Sequence, residues 1–240
     1  MDWINHLILI VACFIIYPLI FKDSIKIMPN KYTKKDIIVG IFIGFLAMSG
    51  IYLLELNLSY IKVGNINYID NKLISYFGKL VLVALAEELM FRAIMLNGLL
   101  RAFKSKYLPV IITSAIFGLM HASNPNATIA SVISNGLGGV MYSIAFIESS
   151  SIWLPVALHF SWNFFQGPVF GFKVSGLQFS SVVQQSFVGG KDIFTGGAYG
   201  PEGGILGISF RILVIVMLLL YYYFSIKKRN DLTQDYNFNN

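Results

Sequence analysis

The apolar run from Leu73 to Leu100 constrains this chain most, because three ionisable residues, Glu87, Glu88 and Arg92, stand inside it. The run is long enough to cross a bilayer, which takes about 20 apolar residues. A charge near the bilayer centre costs roughly 2.5–3.5 kcal/mol on insertion scales, so such groups pair with one another or line a cavity. Glu88 and Arg92 are four residues apart and share a helix face, with the acid N-terminal to the cation, the favourable order. Glu87 points about 100° away around the same helix. It has no cation at pairing distance along the chain, so its burial calls for a function.

The remainder of the chain repeats that apolar character. It is 56% hydrophobic and 12% charged, with a mean hydropathy of +0.67, whereas soluble domains carry about 25% charged residues. The expectation is an all-α fold, a polytopic transmembrane helix bundle of about seven to eight spans. It forms one domain over residues 1–229, followed by a polar, disordered tail at 230–240. The expected spans are Trp3–Phe21, Ile37–Leu56, Leu73–Leu100, Tyr107–Ala122, Ala127–Ile147, Ile152–Phe172 and Ile205–Phe224. The first has no basic n-region and no small-x-small cleavage site, so it reads as a permanent span rather than a signal peptide. Ser131, Asn135, Gly139 and Ser143 recur every four residues, a small-residue stripe that lets another helix approach closely.

The charge surplus reads as a topology signal. Five lysines in 22–35, then Arg101, Lys104 and Lys106, then Lys227-Lys228-Arg229, all fall on one side of a seven-span path. That side is cytoplasmic by the positive-inside rule, which places the protein in the cell membrane as a multi-pass chain with a cytoplasmic C-terminus. No phosphate loop or nucleic-acid motif accompanies the net charge of +6, so no nucleic-acid partner is expected. The lone Cys13 excludes an intrachain disulfide. Asn57–Lys72 reads as a polar exterior connection. Lys173–Gly204 is glycine-rich and too long for an ordinary connection, which suggests a lid, a re-entrant segment or a tolerant surface loop.

The chain holds three histidines. His6 reads as an interfacial residue. His121 ends the fourth expected span. His159 lies in the sixth, with Asn163 one turn further on the same side. Glu, His and a His/Asn pair suit a water-activating base opposite donors for a developing oxyanion. The same groups suit a divalent metal with one position left for water. They also suit a buried polar network that joins spans three, four and six. No Gly-x-Ser-x-Gly or His-Glu-x-x-His motif occurs. Lys79 is placed to snorkel, and Arg211 carries no functional reading.

Three motifs in this order resemble the CAAX protease and bacteriocin-processing family of intramembrane proteases, also called the Abi family. Glu87, Glu88 and Arg92 match its Glu-Glu-x-x-x-Arg, Phe117 and His121 its Phe-x-x-x-His, and His159 and Asn163 its His-x-x-x-Asn. Thr195–Gly204 also looks like a loop of bacterial members. The core resemblance covers roughly residues 73–165. It implies an intramembrane endopeptidase whose partners are the lipid bilayer and a peptide or protein substrate. Bacterial members are linked to bacteriocin maturation and immunity, or to peptide-signal processing. The alternative is a non-catalytic membrane scaffold that modulates a partner, as in bacteriocin immunity. The expected division of labour has Glu87, with His121, activate the water. Glu87 is the desolvated and unpaired carboxylate, the setting that suits a general base. His159 and Asn163 polarise the scissile carbonyl, and Glu88, compensated by Arg92, orients. If a divalent metal such as zinc is bound, Glu87, His121 and His159 are its ligands and Glu88 becomes the base.

Overall fold

The computed structural model describes residues 3–21, 26–67 and 71–226. The Lys227–Arg229 cluster, the tail at 230–240 and Lys22 of the first basic loop therefore lie outside the described residues.

The chain is mostly helical. Helix α1 is Trp3–Ile20, α2 Thr33–Asn57 and α3 Asn71–Glu88. The helical path of α3 continues through a π-helical segment, Leu89–Leu96, into α4, Asn97–Ala102. Helix α5 is Tyr107–Met120, α6 Ile129–Ser149 and α7 Trp153–Phe164. A second π segment, Phe165–Val169, prolongs α7 until Gly167 and Pro168 end it. The short α8, Asp192–Thr195, precedes α9, Ile205–Tyr221. Thr128 caps α6, with a reciprocal bond pair to Ser131, satisfying donors that a helix start otherwise leaves open.

One expectation needs correction. The fold is not all-α. Strand β1, Ile61–Ile66, pairs antiparallel with β2, Val183–Phe187, with Ile61 opposite Phe187 and Val63 opposite Gln185. Neither stretch carries a full period-2 alternation of apolar and polar residues, since Val183–Phe187 is apolar only at its two ends. Each lies in a segment polar enough to pass for a loop. Among the described residues, three helical stretches are long and apolar enough to cross a membrane by length and composition: Thr33–Asn57, Ile129–Ser149 and Ile205–Phe224. Ile4–Ile20 and Tyr107–Ser123 are shorter apolar helices. Helix α3 loses apolar character through Lys72, Lys79 and its two glutamates, and α7 has only 12 residues of α-helix.

Helix α7 lies between two apolar clusters. One gathers Cys13 and Tyr17 of α1 with Ala84 and Leu80 of α3 and Phe160 of α7. The other gathers Met48 and Ile51 of α2, Met141 of α6, Trp162 of α7 and Val214 of α9. Gly40 and Gly44 let α2 press against α7. A methyl at Gly40 would stand 2.8 Å from Ala157 Cβ, and one at Gly44 2.6 Å from Ser161 Oγ. The Ser161 hydroxyl crosses that contact to donate to the Ile41 carbonyl at 2.7 Å. Small residues four apart are how apolar helices gain close packing in lipid.

The expected small stripe of α6 divides in function. A methyl at Gly139 would stand 2.8 Å from Ser114 Cα, so this position admits α5. Ser131 serves the cap instead, and Asn135 turns to the segment 173–204.

Candidate active site

Glu88 is fully buried at the end of α3, and two elements reach it. Arg92, one turn on, donates from Nη1 to Glu88 Oε1 at 3.2 Å. Its Nε stands 3.1 Å from Oε2, an ion-pair contact without hydrogen-bond alignment. From α7, His159 Nδ1 lies 2.8 Å from the same Oε1. A carboxylate only accepts, so Nδ1 is the donor in this contact. Arg92 Nη2 donates onward to the Gly139 carbonyl of α6 at 3.0 Å. Its guanidinium also lies 4.7 Å from the Phe117 ring and 5.3 Å from the Tyr142 ring, contacts favourable to a desolvated cation. The pair read from the sequence thus clamps α3, α6 and α7 together.

Glu87 belongs to a different environment. It is half-buried and lines a cavity of about 460 Å³, together with His121, Tyr142, His159 and Asn163. Its Oε2 is enclosed and has no hydrogen-bond partner among the described residues. His121 sits just past α5, and its Nδ1 lies 2.7 Å from the Phe117 carbonyl. Against a carbonyl that nitrogen must donate, and Nε2 is the nitrogen left unengaged by this bond. Phe117 fixes the ring from its own side, 4.7 Å between centroids. Tyr142 stacks on His159 at 4.7 Å and 16°.

The six residues singled out from the sequence therefore form two groups. Glu88, Arg92 and His159 are bonded to each other, while Glu87, His121 and Asn163 border the cavity, which His159 also lines. The metal expectation needs Glu87, His121 and His159 to converge. Among the described residues, no three His, Cys, Asp or Glu side chains are grouped so as to hold an ion. The present arrangement does not bring these three side chains together as a metal-holding set.

Sequence reasoning missed the opposite wall of the cavity. Glu202, from the segment 173–204, is buried and pairs with Arg211 of α9 at 3.1 Å. Arg211 also donates to Ser134 Oγ at 2.7 Å and Asn135 Oδ1 at 3.2 Å. Glu202 Oε2 accepts from both the amide and the hydroxyl of Ser175, at 2.7 and 2.9 Å. Asn135 donates to the Tyr199 hydroxyl at 2.7 Å. Burial, and then the nearby Glu202, push the Tyr199 phenol up, which keeps it neutral. The glycine-rich segment is thus folded against the bundle, with Val174, Ser175 and Phe179 along the cavity. An unexplained arginine inside an apolar span was the available signal, since such a charge needs a partner.

The chain is thus largely helical and apolar, with a buried glutamate–histidine contact beside a cavity. Residues 69–165 match the family model described as Rce1-like, Type II CAAX prenyl endopeptidase Rce1-like, and this bears out the resemblance read from the three motifs. No curated protein and no solved structure matches the chain.

Proposed function

We propose that this protein is an intramembrane endopeptidase that cleaves a membrane-associated peptide or protein with water activated by Glu87. The observation that carries this reading is the Glu87 carboxylate, whose Oε2 has no protein partner beside a cavity that His121, His159 and Asn163 also line. A positioned base must be within reach of the proton it takes, and an unengaged carboxylate oxygen supplies that. His121, whose Nδ1 is held by the Phe117 carbonyl, offers Nε2 to help hold the water. Glu88 is engaged by Arg92 and His159, so it orients the imidazole rather than reacting. His159 and Asn163 then address the scissile carbonyl. The family match supports peptidase activity, and that family's description as a CAAX prenyl endopeptidase makes prenylated Cys-aliphatic-aliphatic-X tails one substrate class to assay.

The test is cleavage by purified, detergent-solubilised protein of two quenched-fluorescent peptides, one a prenylated Cys-aliphatic-aliphatic-X peptide and one an unprenylated transmembrane peptide. Glu87→Gln is expected to lower turnover by roughly 10²–10⁴-fold, the usual contribution of a positioned base, with unchanged folding. Wild-type rates in Glu87→Gln, His121→Ala and His159→Ala together would sink this reading in favour of a scaffold. Turnover should persist in a strong chelator; loss restored by zinc would instead recruit Glu87, His121 and His159 as ligands.

The membrane arrangement belongs to the same proposal: seven spans, a cytoplasmic C-terminus, and the segment 173–204 outside. Ser180 and Ser105 are both exposed. An impermeant thiol reagent on whole cells should therefore label a cysteine at position 180 and spare one at 105. The reverse pattern would overturn the topology.

A further inference from the structure

Tyr142 is a buried cavity residue that neither the three motifs nor the two ion pairs employ. It lies on α6, and only 2% of its surface is exposed. A tyrosine buried to that degree normally gives its hydroxyl a hydrogen-bond partner. Among the described residues Tyr142 has none, and the residue borders the same cavity as Glu87, His121 and Asn163. Its ring is immobilised by the parallel stack on His159 and by the Arg92 guanidinium 5.3 Å away. The phenol also stands within electrostatic reach of both pairs, Glu88–Arg92 and Glu202–Arg211. A fixed donor with no ground-state partner is what electrostatic stabilisation of a transition state requires, because it need not reorganise when charge develops.

We propose that Tyr142 is a further catalytic residue, donating its hydroxyl hydrogen bond to the scissile carbonyl oxygen as that oxygen becomes an oxyanion. This rests on the peptidase reading above. Glu87 takes a proton from water while the water oxygen bonds to the carbonyl carbon, and the carbonyl π electrons move onto oxygen. Tyr142 meets that oxygen beside His159 and Asn163. The tetrahedral species then collapses, the carbon–nitrogen bond breaks, and the proton held by Glu87 passes to the leaving amine. Water and amide become acid and amine, with no other reactant.

The experiment compares wild type, Glu87→Gln and Tyr142→Phe on whichever of the two peptides above wild type cleaves faster. Phenylalanine keeps the stack on His159 and removes only the donor. The expected result is kcat lower by roughly 10²–10³-fold, the usual cost of one oxyanion donor, with KM within about twofold and an unchanged melting temperature. Tyr142→Phe within about twofold of wild type, while Glu87→Gln is inactive, overturns the role of Tyr142 and leaves the peptidase reading standing. If wild type cleaves neither peptide, both fall together. Should Tyr142→Phe melt early, a fluorinated tyrosine at position 142 replaces it. A more acidic donor moves the alkaline limb of the rate profile to lower pH, which a packing role would not do, and an unmoved limb counts against the proposal.

Discussion

Two buried glutamate–arginine pairs flank the cavity, and they are built differently. Glu88 and Arg92 are successive turns of one helical path, and their contact needs nothing but that path. Glu202 and Arg211 come from a folded segment and the helix after it, and their contact exists only because that segment is laid against α6 and α9. The first pair holds the His159 imidazole. The second holds a backbone amide and a hydroxyl of Ser175, and so fixes the segment 173–204 against the helices. A local pair does not depend on where that segment lies, whereas the tertiary pair exists only while the segment is docked.

That contrast can be broken by substitution. The largest effect is expected from Arg92→Ala, which leaves Glu88 fully buried with only His159. Removing one partner of a buried pair typically costs about 3–5 kcal/mol, so expression and melting temperature should fall, and turnover with them. Glu202→Gln should be milder, at about 1–3 kcal/mol. The amide keeps one acceptor but turns donors toward either Arg211 or Ser175. Limited proteolysis should then cut within 173–204 before the helices, with turnover reduced. An Arg92→Ala protein that melts like wild type would remove the distinction, and so would a Glu202→Gln loss as large as that of Arg92→Ala.

Gly139→Ala probes the seam between the two walls and should have the smallest effect. The added methyl meets Ser114 backbone at 2.8 Å, so α5 and α6 must separate. Overpacking of this kind costs about 1–3 kcal/mol, and here most of it should be relieved by a small helix shift. A thermal melt measures it. Since the Gly139 carbonyl holds Arg92, partial loss of turnover is expected beside the modest shift in melting.

What could be read from the sequence follows the same division. Glu88–Arg92, His159–Asn163 and the helices that carry them rest on spacing within one helix, and spacing is printed in the chain. The engagement of His159 by Glu88 rather than by water or metal was not legible, because the contact spans 71 residues. Arg211 gave only the hint that a buried cation needs an acid. Glu202 sits among glycines, where no periodicity reveals burial. The β1–β2 ribbon escaped for a similar reason: pairing partners 126 positions apart, as for Ile61 and Phe187, leave no local trace beyond a weak alternation.

The π segment Leu89–Leu96 gives the helix after Glu88 a spare residue. An α-helix turns about 100° per residue, while a helix closed over five residues holds one more within the turn. The segment works as a vernier between two fixed marks, Glu88 at one end and, at the other, Asn97, whose Oδ1 receives Lys26 Nζ at 3.0 Å. Removing one residue beyond Arg92, for instance Met95, lets the turn relax to α and keeps both marks in phase. The same deletion before Glu87 would change the phase of the preceding helix against Glu87 at the cavity and Glu88 at His159. Length variation in this helix therefore has a harmless address and a lethal one, only a few residues apart.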